Sequence, residues 1–97
     1  MDSGDVLQQF FNAIGNDPRI GASHISLYCA ILNLSIGYGI DEAVLVVSSE
    51  LMKCAKISGV ATYHKCIRDL NSFGYITYMP SFNHRKKSKI FLSAGRR

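Results

Sequence analysis

Apolar residues recur at helical spacing along most of this chain and change to strand spacing near its end. Val6, Leu7, Phe10, Phe11 and Ile14 fall three and four apart, which predicts an amphipathic helix over 5–15 with Gly15 as its stop. Residues 16–21, with Asp17 and Pro18, read as a connection. Ser23 stands where it can cap a second helix, in which Ile25, Tyr28, Cys29, Ile31, Leu32 and Ile36 cover a broad arc. A helix apolar over so wide an arc belongs at the centre of a fold, and this one should end near Gly37-Tyr38-Gly39.

Residues 43–47, AVLVV, fit a helix extension or a buried strand, and three valines in five residues favour a short strand. Ser48 or Ser49 then caps a helix over 49–57, with Glu50 near its positive end. In that helix Leu51, Met52, Cys54 and Ala55 should face inward while Lys53 and Lys56 project outward. Ser58-Gly59 breaks the pattern at turn length, and a further helix runs over 60–73 to Gly74, which suits the left-handed backbone that ends helices. From Tyr75 the period falls to two. Residues 75–79 and 88–92 read as a β-hairpin around the polar, basic segment SFNHRKK. The expected core is Cys54, Cys66, Ile67, Leu70 and Ile76, joined by Cys29 and Leu32 from the central helix.

Ninety-seven residues, 47% of them hydrophobic and 19% charged, make one core and argue against global disorder. The chain is too short for a (β/α)₈ barrel, carries no glycine fingerprint for nucleotides and shows no internal repeat. Charge is distributed unevenly. Residues 1–52 hold Arg19 against six acidic groups, a net of −5, whereas residues 53–97 hold ten basic groups against Asp69, a net of +9. Such polarity predicts a basic face that attracts a polyanion. Three cysteines without close spacing make no disulfide framework and read as small core residues in a reducing compartment. The first ten residues have no basic region leading into an apolar run, and the uncharged window 20–40 is broken by His24, Asn33, three serines and three glycines. No secretory signal and no membrane span are expected, which makes the cytoplasm the expected compartment.

The predicted order is helix, helix, short strand, helix, tight turn at 57–59, helix, hairpin. Over 48–92 it resembles the winged helix-turn-helix DNA-binding domains, and more narrowly the small proteins of Bacteroides-type transposons and mobile elements. The runs KISGVATYHKCIRDLNSFGYITYMPS and FNHRKKSKI carry the resemblance. The family's recognition helix and first wing strand are marked by a Ser or Thr, a hydrophobic residue, a Leu, and a Gly followed by a hydrophobic-Ile pair. Thr62, Ile67, Leu70, Gly74, Tyr75 and Ile76 match that pattern, although Thr62 and Ile67 stand one residue further apart than the family spacing. About half of the chain is covered; the helix at 24–36 fits more loosely, and the N-terminal helix lies outside the pattern. The resemblance implies an α+β winged helix-turn-helix with an additional N-terminal helix and a small antiparallel sheet. Residues 1–97 would form a single domain, with 1–21 as N-terminal helix and connection, 22–92 as winged-helix core and 93–97 as a flexible tail. It further implies sequence-selective binding of double-stranded DNA by a transcriptional regulator or mobile-element accessory protein, without cofactor, metal, small-molecule substrate or membrane.

Helical spacing sets Tyr63, Cys66, Ile67 and Leu70 on one face of the 60–73 helix and leaves Thr62, His64, Lys65 and Arg68, with Asn71 and Ser72, toward solvent. These are the candidates for the major groove: Thr62 for a base edge or thymine methyl, Lys65 and Arg68 for guanine or phosphate. Backbone contacts would come from Lys53 and Lys56 and from the hairpin residues His84, Arg85, Lys86, Lys87 and Lys89. Blander roles compete with each. Lys65 and Arg68 could be solvated charges, the basic hairpin could simply protect edge strands, and Tyr63 is better read as a core residue whose hydroxyl reaches the rim. Asp69 could pair with a nearby basic group. His24, His64 and His84 lie on separate elements and no zinc spacing is present, so no enzyme is expected. A winged-helix protein-interaction module is the alternative function. Leu7, Phe10 and Phe11 either offer a partner surface, for instance in a homodimer, or pack back on the 24–36 helix, which is the preferred reading.

Overall fold

Each stretch of helical periodicity folds as a helix in the computed structural model, which describes residues 3–39, 42–81 and 87–93. The helices are α1 (Ser3–Ile14), α2 (Ala22–Leu34), α3 (Ser48–Ala55) and α4 (Val60–Ser72). The strands are β1 (Val44–Val46), β2 (Ile76–Met79) and β3 (Ser88–Leu92). Among the described residues the chain is thus a small α+β domain of four helices and one three-stranded antiparallel sheet. His84, Arg85, Lys86, Arg96 and Arg97 lie outside the described residues. No described helix is long and apolar enough to cross a membrane.

α2 earns its central position by its composition. Leu27, Tyr28, Ala30, Ile31 and Leu32 are all buried, and α1, α3, α4 and β1 pack around them. α1 contributes Val6 and Phe10. The Phe10 ring stacks on Tyr28 with centroids 3.7 Å apart and meets Tyr75 edge-on at 5.5 Å. α3 buries Leu51 and Ala55, one turn apart, and α4 buries Tyr63, Cys66, Ile67 and Leu70. The sheet order is β1-β3-β2, so β3 is paired on both edges. Ile90 stands opposite Val44 on one side and Tyr78 on the other, and the period of two turns Val44, Val46, Ile76 and Ile90 toward the helices.

The helix ends differ from expectation in instructive ways. α2 begins one residue before Ser23, because Gly21 is the extended cap residue and the His24 Nδ1 accepts the Gly21 N–H at 3.0 Å. That ring plays the part a Glu or Gln plays in a capping box. α3 is capped by Val47, not by a serine: β1 runs straight into the helix, and the Val47 carbonyl receives the Glu50 and Leu51 N–H groups. Cys54, expected in the core, is exposed; the inward stripe of this short helix is used by Leu51 and Ala55, which leaves Cys54 on the flank, where the Asn33 side-chain N–H meets its sulfur at 3.6 Å. Cys66 is buried as expected, and Cys29 is half-buried.

α3 and α4 end in the same motif with different residues. At α4 the Tyr75 N–H bonds the Leu70 carbonyl and the Gly74 N–H bonds Asn71, with Gly74 at φ 88. At α3 the Ile57 N–H bonds Met52 and the Lys56 N–H bonds Lys53, with Lys56 at φ 61 and ψ 36. Both are Schellman ends, but the second places a side-chain-bearing residue in left-handed backbone, at a cost of about 1–2 kcal/mol.

Replacing Lys56 by Gly should relieve that cost, less the roughly 0.4–1 kcal/mol of extra freedom a glycine gives the unfolded chain. A net gain of about 0.5–1 kcal/mol is expected, read as a higher urea midpoint at unchanged slope, while Gly74→Ala should lower the midpoint. In native protein a bulky thiol reagent should modify Cys54 rapidly and reach Cys66 only on unfolding; burial also pushes the Cys66 thiol's ionisation up.

Candidate nucleic-acid interface

One side of α4 is spent on the core, and this decides what the other side shows. Thr62, His64, Lys65 and Arg68 are all exposed, as are Asn71 and Ser72. Helical geometry sets Arg68 near the middle of the outward side with Ala61, Lys65 and Ser72, while Thr62 and Asp69 fall on one flank. Val60, in the first turn, is 59% exposed and adds an apolar contact point on the opposite flank, which it shares with His64 and Asn71. Two expectations change. The Tyr63 hydroxyl does not reach the rim: it is buried with no hydrogen-bond partner among the described residues, and burial pushes its ionisation up to about 12. Asn71 holds structure as well as facing water, because its Oδ1 accepts the Tyr78 N–H at 3.0 Å and so fixes β2 against α4.

Lys53 and Lys56 are exposed on α3 and at its end, and Lys87 and Lys89 are exposed at the start of β3. Arg19, the one basic group of the acidic half, is already engaged. Its guanidinium grips both Asp17 oxygens at 2.8 Å and lies 3.8 Å over the Phe73 ring. The Tyr75 hydroxyl donates to the same carboxylate at 2.6 Å, tying the α1–α2 connection to the α4–β2 junction. Arg19 and then Tyr75 hold the Asp17 carboxyl far below the usual carboxylate range. Burial, and then the bond to Asp17, push Tyr75 up to about 12.

A second carboxylate is held in the same manner. Asp69 Oδ2 accepts from Lys65 Nζ at 2.7 Å and from His24 Nε2 at 2.8 Å, which lowers its ionisation as well. A backbone N–H can only donate, so the His24 Nδ1 that receives Gly21 must be unprotonated and Nε2 carries the proton given to Asp69. Both ring nitrogens are therefore occupied, and the ring is not poised as a general base. The Lys65–Asp69 spacing of four is legible in sequence, but the partnership with His24, 45 residues away, is not. Among the described residues no group of His, Cys, Asp and Glu could hold a metal ion.

An apolar groove of about 260 Å³ opens between α1 and the C-terminal half of α2, lined by Leu7, Cys29, Leu32 and Ile36 among others. Of the α1 residues considered as a partner surface, Phe10 is in the core, Leu7 lines this groove and Phe11 is 44% exposed.

Both engaged carboxyls titrate lower in the fold than in the unfolded chain. Each therefore contributes stability that is present above about pH 4 and lost as pH falls through its folded value. Tyr75 has the opposite sense: its contribution is present below about pH 10 and lost as pH rises toward 12. The difference in urea midpoint between wild type and Asp17→Asn should be largest near neutrality and shrink below about pH 4; a constant difference down to about pH 2 would contradict the Asp17 assignment. The chain matches no family model, no curated protein and no solved structure.

Proposed function

We propose that this protein binds double-stranded DNA as a winged helix-turn-helix domain, with α4 in the major groove and the β2–β3 hairpin as the wing. The observation that carries the reading is the division of α4, whose one side is buried on α2 and whose other side offers Thr62, His64, Lys65 and Arg68. Its 13 residues span about 20 Å, and a major groove about 12 Å wide admits a helix. α3 precedes it by a short turn and brings Lys53 and Lys56; the hairpin follows it directly and brings Lys87 and Lys89.

Docking begins with charge. The cations of residues 53–97 draw the domain onto phosphates irrespective of sequence, with Lys53, Lys56, Lys87 and Lys89, and His84, Arg85 and Lys86 of the hairpin segment, as the backbone contacts. Arg68 then reads guanine O6 and N7, and the Thr62 and Val60 methyl groups meet thymine methyls. The role that follows is transcriptional regulation or accessory action on a mobile element, in the cytoplasm. A protein-interaction module is the second reading, favoured by the apolar groove and by Phe11 and Ile36 exposed near it.

Selection from a random duplex library, followed by fluorescence anisotropy on the selected and a scrambled duplex at several salt concentrations, tests the proposal. Lys87→Ala with Lys89→Ala should weaken both duplexes alike and flatten the slope of log K against log salt by about 0.9 per lost phosphate contact. Arg68→Ala should cost about 1–3 kcal/mol on the selected duplex and relax preference at one base pair. Folded wild type that binds neither duplex at low salt would favour the interaction module.

A further inference from the structure

Residues 53–97 contain a single acidic side chain, and it sits on the helix that carries the proposed reading surface. Asp69 is one turn beyond Lys65, and the Lys65 ammonium reaches back to it at 2.7 Å although the lysine side chain is 65% exposed. An isolated exposed pair of this kind contributes little, because water and salt screen it and two mobile side chains must be held in one geometry. Here one of them is not free. The same oxygen accepts from His24, which is 7% exposed on α2 and anchored at its other nitrogen by the Gly21 N–H. The carboxylate is a fixed acceptor on the flank of α4, and Lys65 bends toward that flank. Arg68, at the middle of the outward side, makes no ion pair among the described residues.

A lysine that docks on phosphate gains by releasing condensed counterions. If it must first leave a fixed carboxylate, it exchanges one anion for another and most of that gain disappears. We propose that Asp69, fixed by His24, is a positioning residue that withholds Lys65 from the DNA backbone and so restrains sequence-independent binding. The inference rests on the DNA-binding reading above. Its value to such a protein lies in the competition: a regulator searches among a vast excess of non-specific duplex, and each sequence-blind contact deepens that competition.

Asp69→Asn tests it with little disturbance, since the amide oxygen can still accept from His24 while the charge is gone. Anisotropy on a scrambled duplex, titrated with salt, is measured for wild type, Asp69→Asn, Lys65→Gln and the double variant, with urea unfolding confirming that each is folded. Asp69→Asn should tighten scrambled-duplex binding about fivefold to tenfold at 0.1 M salt and steepen the salt slope by about 0.9, the value of one recovered phosphate contact. Lys65→Gln alone should change affinity by less than about twofold, and the double variant should lose the gain. A gain that survives in the double variant comes from the general loss of a negative charge and overturns the Lys65 assignment. Wild type that binds while Asp69→Asn is no tighter overturns the inference and leaves DNA binding standing. A complete absence of binding by all four folded proteins overturns the DNA reading and this inference together.

Discussion

Every other helix of the domain, and one edge of its sheet, is oriented by contact with α2. A 13-residue helix whose buried positions cover most of its circumference can be stable in water only if neighbours arrive from several directions. Phe10 stacks on it from α1, α3 and α4 close two more sides, and the Ser26 hydroxyl donates to the Ala55 carbonyl at the end of α3. Once Tyr63, Cys66, Ile67 and Leu70 are committed to this centre, the direction of the polar side of α4 is no longer open. The candidate interface is in that sense a by-product of the core.

Two carboxylates then fix how the parts sit on that centre, and their chemistry is alike. Each takes a cation from close by in sequence, Arg19 for Asp17 and Lys65 for Asp69, and a neutral donor from far away, Tyr75 and His24 respectively. The near cation supplies charge balance, which solvent would weaken by itself. The distant donor supplies position, because it is rooted in another element. Asp17 in this way links the α1–α2 connection to the start of β2, and Asp69 links α4 to the first turn of α2.

Element type and order were legible in the sequence because they follow from period. Spacings of three and four marked the four helices, and the change after Gly74 marked the hairpin. The side of α4 that faces out followed from the same arithmetic, so Thr62, His64, Lys65 and Arg68 stand exposed as expected. What period cannot convey is who accepts a particular proton. Ser23 and Ser48 have the right chemistry for caps, yet Gly21 and Val47 hold those positions because the incoming chain arrives extended there. Cys54 looks like a core residue by composition and sits on a flank because an eight-residue helix has room for few inward positions. Lys56 gives no hint of left-handed backbone at all. The union of His24 with Asp69 is a tertiary fact, set by how α2 and α4 cross.

The pairing of β3 on both of its edges has a consequence for how such a chain can change over generations. Ile90 is held between Val44 and Tyr78, and its neighbours on each side are paired in turn, so a one-residue slip of β3 would exchange Ile90 for Lys89 in the core. Register is thus fixed by β1 and β2 and not by the length of the connection between Met79 and Ser88. Residues can be gained or lost in that connection while the strands stay in place. The reach and charge of the most basic stretch of the chain are in this way free to diverge among descendants without renegotiating the core.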